Sequence, residues 1–401
     1  GKNKTGVAFD NYVYKTYKKQ MGLACRELFA QFFIRIYDEI PTSVLAEFSK
    51  LKILQAPNFR DFRQAFRAKL GRNFIVPANS FDNVKGQFPI GFFIWDTNQK
   101  EVFEETTTTI YDSKGEELGN KLISSYLNDT NVIVWLRQYY DKQGESIGFL
   151  RMNGTNIQNN LGIYITSKLS DNDIHNHFYA EITKTNILPM CIYLSIRETV
   201  NANWINDRDQ YLVPSSKWED DKEFQYNCLI HSLFSGQNRI QSQHGTNHWI
   251  PFSEEEVGAQ DNFESHFIHD FIMGKVKEEK PQQKETMQDL FAEQEPQTTG
   301  GSSFTPTGPL EFSQEAQAVL DAGRELWRYY HKQAGANPNA SYYDIKMHFQ
   351  GTKTTKSGKL QMNSTSEDAT YNTLLANLRQ AMKGLAAHIE PKVYEYGFLK
   401  K

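Results

Sequence analysis

The most informative pattern of apolar and polar positions lies between residues 43 and 97. Val44 to Leu54 and Phe88 to Trp95 are apolar runs of strand length, and between them Arg60, Arg63 and Arg67 recur at helical spacing, with Lys69 and Arg72 beyond. This pattern predicts strand, basic helix, strand and aromatic hairpin in succession, one half of an α/β sheet with a cationic helix beside it. Lys50 and Lys52 alternate with Leu51 and Ile53, which puts both lysines on one face of the first strand. Ahead of that strand, Leu28, Phe32, Phe33, Ile36 and Ile40 mark a helix over 23–40 that should stop before Pro41.

Downstream the pattern shortens. Phe103 to Tyr111 and Val132 to Tyr140 read as short strands and turns, Ile147 to Met152 and Gly162 to Ile165 as strands, and Phe224 to Ser235 as a helix, with Asn-rich turns between them. Residues 1–110 are therefore assigned to the first sheet and 111–275 to an α+β region. Residues 276–308 are rich in Glu, Gln, Thr, Pro and Gly and read as a flexible linker. Ser313 to Gln333 carries Ala316, Val319, Leu320, Leu326 and Trp327 on one face behind a Ser313 cap, and a second helix over about Thr370 to Ile389 precedes Pro391. The centre of the segment between them reads as an exposed loop, so 309–401 is expected to be a small helical module.

Phe81-Asp-Asn-Val-Lys-Gly86, followed by the apolar strand Ile90-Gly-Phe-Phe-Ile-Trp95, resembles the late motif of N6-adenine DNA methyltransferases of restriction-modification systems. The preceding FSKLKILQAPNFRDFR resembles the fifth strand and following helix of the same catalytic domain. The resemblance implies that residues 1–110 form the C-terminal half of a Rossmann-like methyltransferase sheet, followed by target recognition over 111–275. It also implies that Phe81 stacks on an adenine swung out of the duplex, recovering the few kcal/mol that unstacking costs. The family's Asn/Asp-Pro-Pro-aromatic tetrapeptide and glycine-rich cofactor loop are both absent, and no two prolines are adjacent. The chain is therefore expected to be the C-terminal portion of a longer enzyme, inactive alone, whose other half would hold S-adenosylmethionine. The alternative is a non-catalytic DNA-recognition or scaffold protein derived from that family.

Charge modifies this picture. The formal net charge is -4, but residues 254–295 hold twelve Asp and Glu against four Lys, and the rest of the chain has 40 basic against 36 acidic residues. A net of about +4 permits DNA binding without demanding it. Lys50, Lys52, Arg60, Arg63, Arg67 and Lys85 are candidates for phosphate contact. Asn206, Arg208, Asn247, His248 and Trp249, on amide- and aromatic-rich loops, are candidates for base recognition, since Asn pairs with adenine and Arg with guanine. Each of these also fits a solvated face or a structural turn.

Double-stranded DNA is the expected partner, with a restriction or specificity subunit beside it. Three cysteines without paired spacing point to a reducing compartment, the cytoplasm, and no membrane partner is expected. His175-Asn-His177, Cys228-Leu-Ile-His231 and His244 to His248 have ligand-like spacing but no paired zinc signature, so no metal is expected. Met287-Gln-Asp-Leu-Phe291 weakly resembles the peptide by which bacterial proteins dock on the sliding clamp.

Overall fold

The first strand, β1 (Val44–Lys50), opens a mixed five-stranded sheet in order β1-β3-β2-β4-β5. The others are β2 (Ala68–Pro77), β3 (Pro89–Lys100), β4 (Glu105–Tyr111) and β5 (Glu117–Ser124). The computed structural model describes residues 9, 11–141, 143–276, 306, 308–355, 358 and 360–400. β3 is antiparallel to both β1 and β2, β4 runs parallel to β2, and β5 closes a hairpin on β4. β1 and β2 therefore point the same way, a relation that requires a crossover connection. Two short helices, α3 (Lys52–Gln55) and α4 (Arg60–Ala65), supply it. Among the described residues no strand pairs with the outer edge of β1.

One face of this sheet is covered. Phe93 and Trp95 of β3, Ile75 of β2, and Phe59, Phe62 and Phe66 of the crossover are buried. Two further helices, α1 (Tyr12–Met21) and α2 (Leu28–Glu39), bring Met21, Phe33 and Ile34 into the same core. The helix expected over 23–40 begins only at Leu28, because Gly22 to Arg26 makes a separate 3-10 turn. The first strand is shorter than expected. Its chain turns at Leu51 into α3, burying Leu51, Ile53 and Leu54, so Lys52 leaves the strand and does not share a face with Lys50.

Glu47 sits on the covered face of β1, opposite Phe93, and accepts a hydrogen bond from Ser49 Oγ at 3.0 Å. Burial pushes its carboxyl up to about 7, with the Ser49 hydrogen bond opposing the shift. A carboxyl raised above its unfolded value contributes stability that is lost as pH rises through the folded value. Glu47→Gln should therefore raise the melting temperature relative to the parent at pH 8 and leave it nearly unchanged at pH 5. An equal difference at both pH values in parallel thermal melts would show that Glu47 is ionised throughout.

The second core runs from Val132 to Leu399. Val132 to Tyr140, expected as strand, starts with a helix, α5 (Val132–Arg137), whose cap Asn131 accepts from the Ile133 N–H. A four-stranded sheet in order β8-β6-β7-β9 follows. Its strands are β6 (Ser146–Met152), β7 (Tyr164–Thr166), β8 (Phe178–Thr183) and β9 (Asn238–Arg239). Between β7 and β8 lies α6 (Asp171–Asn176), and α7 (Ile187–Thr199) and α8 (Lys222–Phe234) pack together, with α7 buried almost all round. Then come α9 (Glu254–Val257), α10 (Phe267–Ile272), α11 (Gln314–His331), α12 (Tyr342–Gln350) and α13 (Ala369–Glu395).

Three features of this half differ from expectation. The C-terminal helices do not stand apart as a module, because α11 and α13 pack on α7 and α8 in one continuous core. Ahead of the centre expected as a loop lies α12, capped by Ser341, and the centre itself carries a small hairpin of β10 (Thr352–Thr354) and β11 (Leu360–Met362). α13 runs through Pro391, because Val393, Tyr396, Phe398 and Leu399 beyond it are buried and hold the last turn in place. The linker lies largely outside the described residues, and the clamp-like peptide 287–291 entirely so.

The boundary expected near residue 110 falls after β5 instead. Across it, Asp209 pairs with Lys121 at 2.6 Å and accepts from Gln55 at 3.2 Å, and Trp204 and Ile205 pack on the first core. No helix of the described residues is long and apolar enough to cross a membrane.

Candidate nucleic-acid interface

The parallel pair β1 and β2 directs two sequence candidates to one place. Lys50, the last residue of β1, and Val76, near the end of β2, are both in register with Ile90 of β3. The chain then leaves β2 through a 3-10 turn (Ala78–Ser80) into Phe81, which lies with its ring 5.2 Å from Phe48 at 78°. Phe88 comes back alongside, and the Lys50 ammonium sits 4.8 Å from its ring centroid. Residues 79–85 surround a cavity of about 520 Å³, and Lys85 is exposed on its rim. Ligands of open α/β sheets collect outside the carboxyl ends of parallel strands, which is where Lys50, Phe81 and Phe88 meet.

Phe81 continues into an aromatic surface on the uncovered sheet face. Phe48, Phe92, Phe74 and Tyr111, contributed by β1, β3, β2 and β4, pack in a row with centroids 4.7, 5.3 and 5.8 Å apart. Phe48 is 51% and Val44 68% exposed. Beside the row, Gly71 to Phe74, Phe92 and Tyr111 line a second cavity of about 490 Å³. The sequence reading missed this surface. Its signal was the alternation Phe48-Ser49-Lys50 and Phe92-Phe93-Ile94, which separates a covered from an uncovered face only once the helices are placed.

The basic candidates divide. Arg67 is exposed just beyond α4. Arg60 donates to the Leu127 carbonyl at 2.8 Å. Arg63 is 4% exposed and donates to the carbonyls of Ile53, Ala56 and Ser125, so it is internal wiring and cannot reach a phosphate. Lys52 pairs with Glu27 at 2.8 Å and lies over Phe29 and Phe59.

The recognition candidates are mostly structural. Asn247 is fully buried, donating to the Asn339 carbonyl and accepting from the Trp249 N–H. Trp249 is buried and donates from its indole to the Ile147 carbonyl at 2.8 Å. Asn206 closes its own loop, accepting from Asn203 N–H and donating to the Asn201 carbonyl. Arg208 lies 3.5 Å from the Asp207 carboxylate. His248, half-buried, hydrogen-bonds Ser265 Oγ at 2.7 Å, and burial holds its imidazole below the usual value. Composition marked these loops as amide-rich, but the amides of Asn206 and Asn247 are taken up by backbone groups of their own surroundings.

Among the described residues no group of three His, Cys, Asp or Glu side chains could hold a metal ion. Cys228 and His231 are core residues of α8, with His231 Nδ1 3.2 Å from Ser195 Oγ and its imidazole pushed down to about 4 by burial. Cys25, Cys191 and Cys228 are all buried and unpaired. No family model, curated protein or solved structure matches the chain.

Proposed function

We propose that the chain is the C-terminal portion of an S-adenosylmethionine-dependent DNA adenine-N6 methyltransferase of a restriction-modification system, with Phe81 stacking on the flipped base. The observation that carries this reading is the arrangement of β1, β3 and β2. Two parallel strands joined by a helical crossover, with an antiparallel strand between them, present Lys50 and Phe81 at their carboxyl ends. The edge of β1 that no described strand pairs with, carrying exposed apolar Val44 and Phe48, is where further strands of such a sheet would add.

These residues do not by themselves make a cofactor pocket. The end of β1 leads into buried Leu51 and a four-residue helix, with no glycine-rich turn facing a helix N-terminus. S-adenosylmethionine would belong to the sheet beyond β1. What this chain contributes is positioning: a ring face for the base, a cavity beside it, and Lys50 at its border.

The test is transfer of labelled methyl groups to adenine-containing duplexes by the 401-residue chain and by one extended upstream. Transfer is expected only from the longer chain. There, Phe81→Ala should lower it about 10- to 100-fold, the worth of stacking one base at about 1–3 kcal/mol. Duplex binding by both chains with transfer by neither would replace the enzyme by a recognition protein.

A further inference from the structure

Between Asp344 and Glu367 the sequence holds Lys346, Lys353, Lys356 and Lys359 and no Asp or Glu, a basic stretch in a chain whose formal net charge is -4. Within it, β10 and β11 pair as a two-stranded ribbon that joins neither of the larger sheets among the described residues. Thr352, Lys353, Thr354, Leu360 and Gln361 are exposed, and Met362 is half-buried. A cavity of about 750 Å³ lies at the base of the ribbon, lined by Lys353 and Asn363 from the ribbon and its end, and by Gln333 and His348 from the helical body. A two-stranded hairpin alone is marginal in water, so this one gains from a surface to lie in.

Register fixes what the ribbon presents. Lys353 pairs with Gln361 on one face, while Thr352 pairs with Met362 and Thr354 with Leu360 on the other. Charge and shape then select the occupant. A second copy of the ribbon is opposed by Lys353, since lysine on an edge strand resists pairing between chains. A protein partner would need an apolar patch, and Leu360 is the one large exposed apolar side chain among the described residues of the ribbon. Duplex DNA meets both conditions, because its major groove admits a two-stranded ribbon and its phosphates balance lysines. Glu367 and Asp368 also line the cavity. Those carboxylates disfavour a phosphate inside it and leave the exposed ribbon as the contact.

We infer that the β10-β11 ribbon docks in the major groove of duplex DNA, with Lys353 on a phosphate at the groove's border and Gln361 on base edges within it. An amide side chain pairs with adenine there, and the lysine supplies the sequence-independent part of the affinity. The choice of occupant rests on the DNA-binding reading above, but the ribbon belongs to the other half of the chain from Phe81.

The experiment uses the 401-residue chain without a methyl donor and follows its binding to a fluorescent mixed-sequence DNA duplex by anisotropy over a range of salt concentrations. Lys353→Ala and Gln361→Ala are compared with the parent, and Lys19→Ala on α1 is the control. All three side chains are exposed, so the variants keep the fold, which thermal melts check. Lys353→Ala is expected to lower the slope of log affinity against log salt by about 0.9, the share of one phosphate. Gln361→Ala is expected to weaken binding about 5-fold or more with the slope unchanged, as loss of an uncharged base-edge contact does. Lys19→Ala should change neither. The RNA duplex of the same sequence should bind less tightly, because its major groove is too narrow for the ribbon. Duplex binding that neither ribbon substitution alters overturns the ribbon and leaves the reading of Phe81 standing. A lowered slope with Gln361→Ala silent puts Lys353 on the backbone outside the groove and overturns the docking. Ribbon-dependent binding that is as tight on the RNA duplex overturns it too. Absence of duplex binding by the parent also sinks the ribbon, while methyl transfer by the extended chain decides the other reading separately.

Discussion

Truncation after residue 275 is expected to abolish folding of the second core. Nineteen of the buried residues in that core come after position 309, including Leu320, Trp327, Tyr371, Leu385, Val393 and Phe398. Each fully buried large apolar side chain contributes about 1.5–3 kcal/mol, and their sum exceeds the whole stability of a typical domain, about 5–15 kcal/mol. The contacts are specific as well as numerous. Gly323 of α11 has no side chain because the Phe234 ring lies against it, and Phe398 packs edge-on against Trp135 at 5.3 Å. The N–H groups of Leu212 and Ser215 donate to the carbonyls of Phe398 and Tyr396, so the loop before α8 also loses its partners. Near-ultraviolet circular dichroism and urea unfolding of both chains provide the measurement. Retention of the parent signal around Trp135, Trp218 and Trp249 would show that the C-terminal helices are a dispensable module. The point variant Trp327→Ala should cost about 3–5 kcal/mol in the intact chain.

How much of this was legible depends on whether the deciding contact is local. β3 and α11 were readable, because an apolar run of strand length from Phe88 to Trp95 and the 3.6-residue stripe from Ala316 to Trp327 behind a Ser313 cap carry their own signal. Val132 to Val134, apolar and β-branched, also reads as strand, yet it opens a helix whose cap Asn131 accepts from the Ile133 N–H. Pro391 signalled a helix end, yet the burial of Val393 and Phe398 outweighs one missing N–H. In the candidate site, the aromatic hairpin around Phe81 was visible in the sequence. Its meeting with Lys50 was not, since that depends on two strands sharing Ile90 as register partner. The arginines of 60–67 illustrate the limit, as a cation looks the same in a sequence whether it is solvated, like Arg67, or buried, like Arg63.

Arg63 turns that limit into a measurable difference. Arg60, Arg63 and Arg67 share one helical spacing, but only Arg63 points inward, and its guanidinium holds the Ile53 and Ala56 carbonyls of the crossover and the Ser125 carbonyl just past β5. The last bond ties the ends of a 62-residue separation. Burial pushes Arg63 down to about 10, still charged at neutral pH, so its stabilising hydrogen bonds are charge-assisted. Arg63→Ala leaves those buried carbonyls without their donor and opens a cavity beside Phe59 and Phe62, and should destabilise the first core by about 3–5 kcal/mol in urea unfolding. Arg63→Lys should recover little, because one ammonium cannot reach three carbonyls with the spread of a guanidinium. Arg67→Ala, at an exposed position, should change stability by less than about 0.5 kcal/mol. If Arg63 acted on DNA instead, its substitution would weaken duplex binding below the unfolding transition while leaving the urea midpoint in place, and that outcome would return it to the interface.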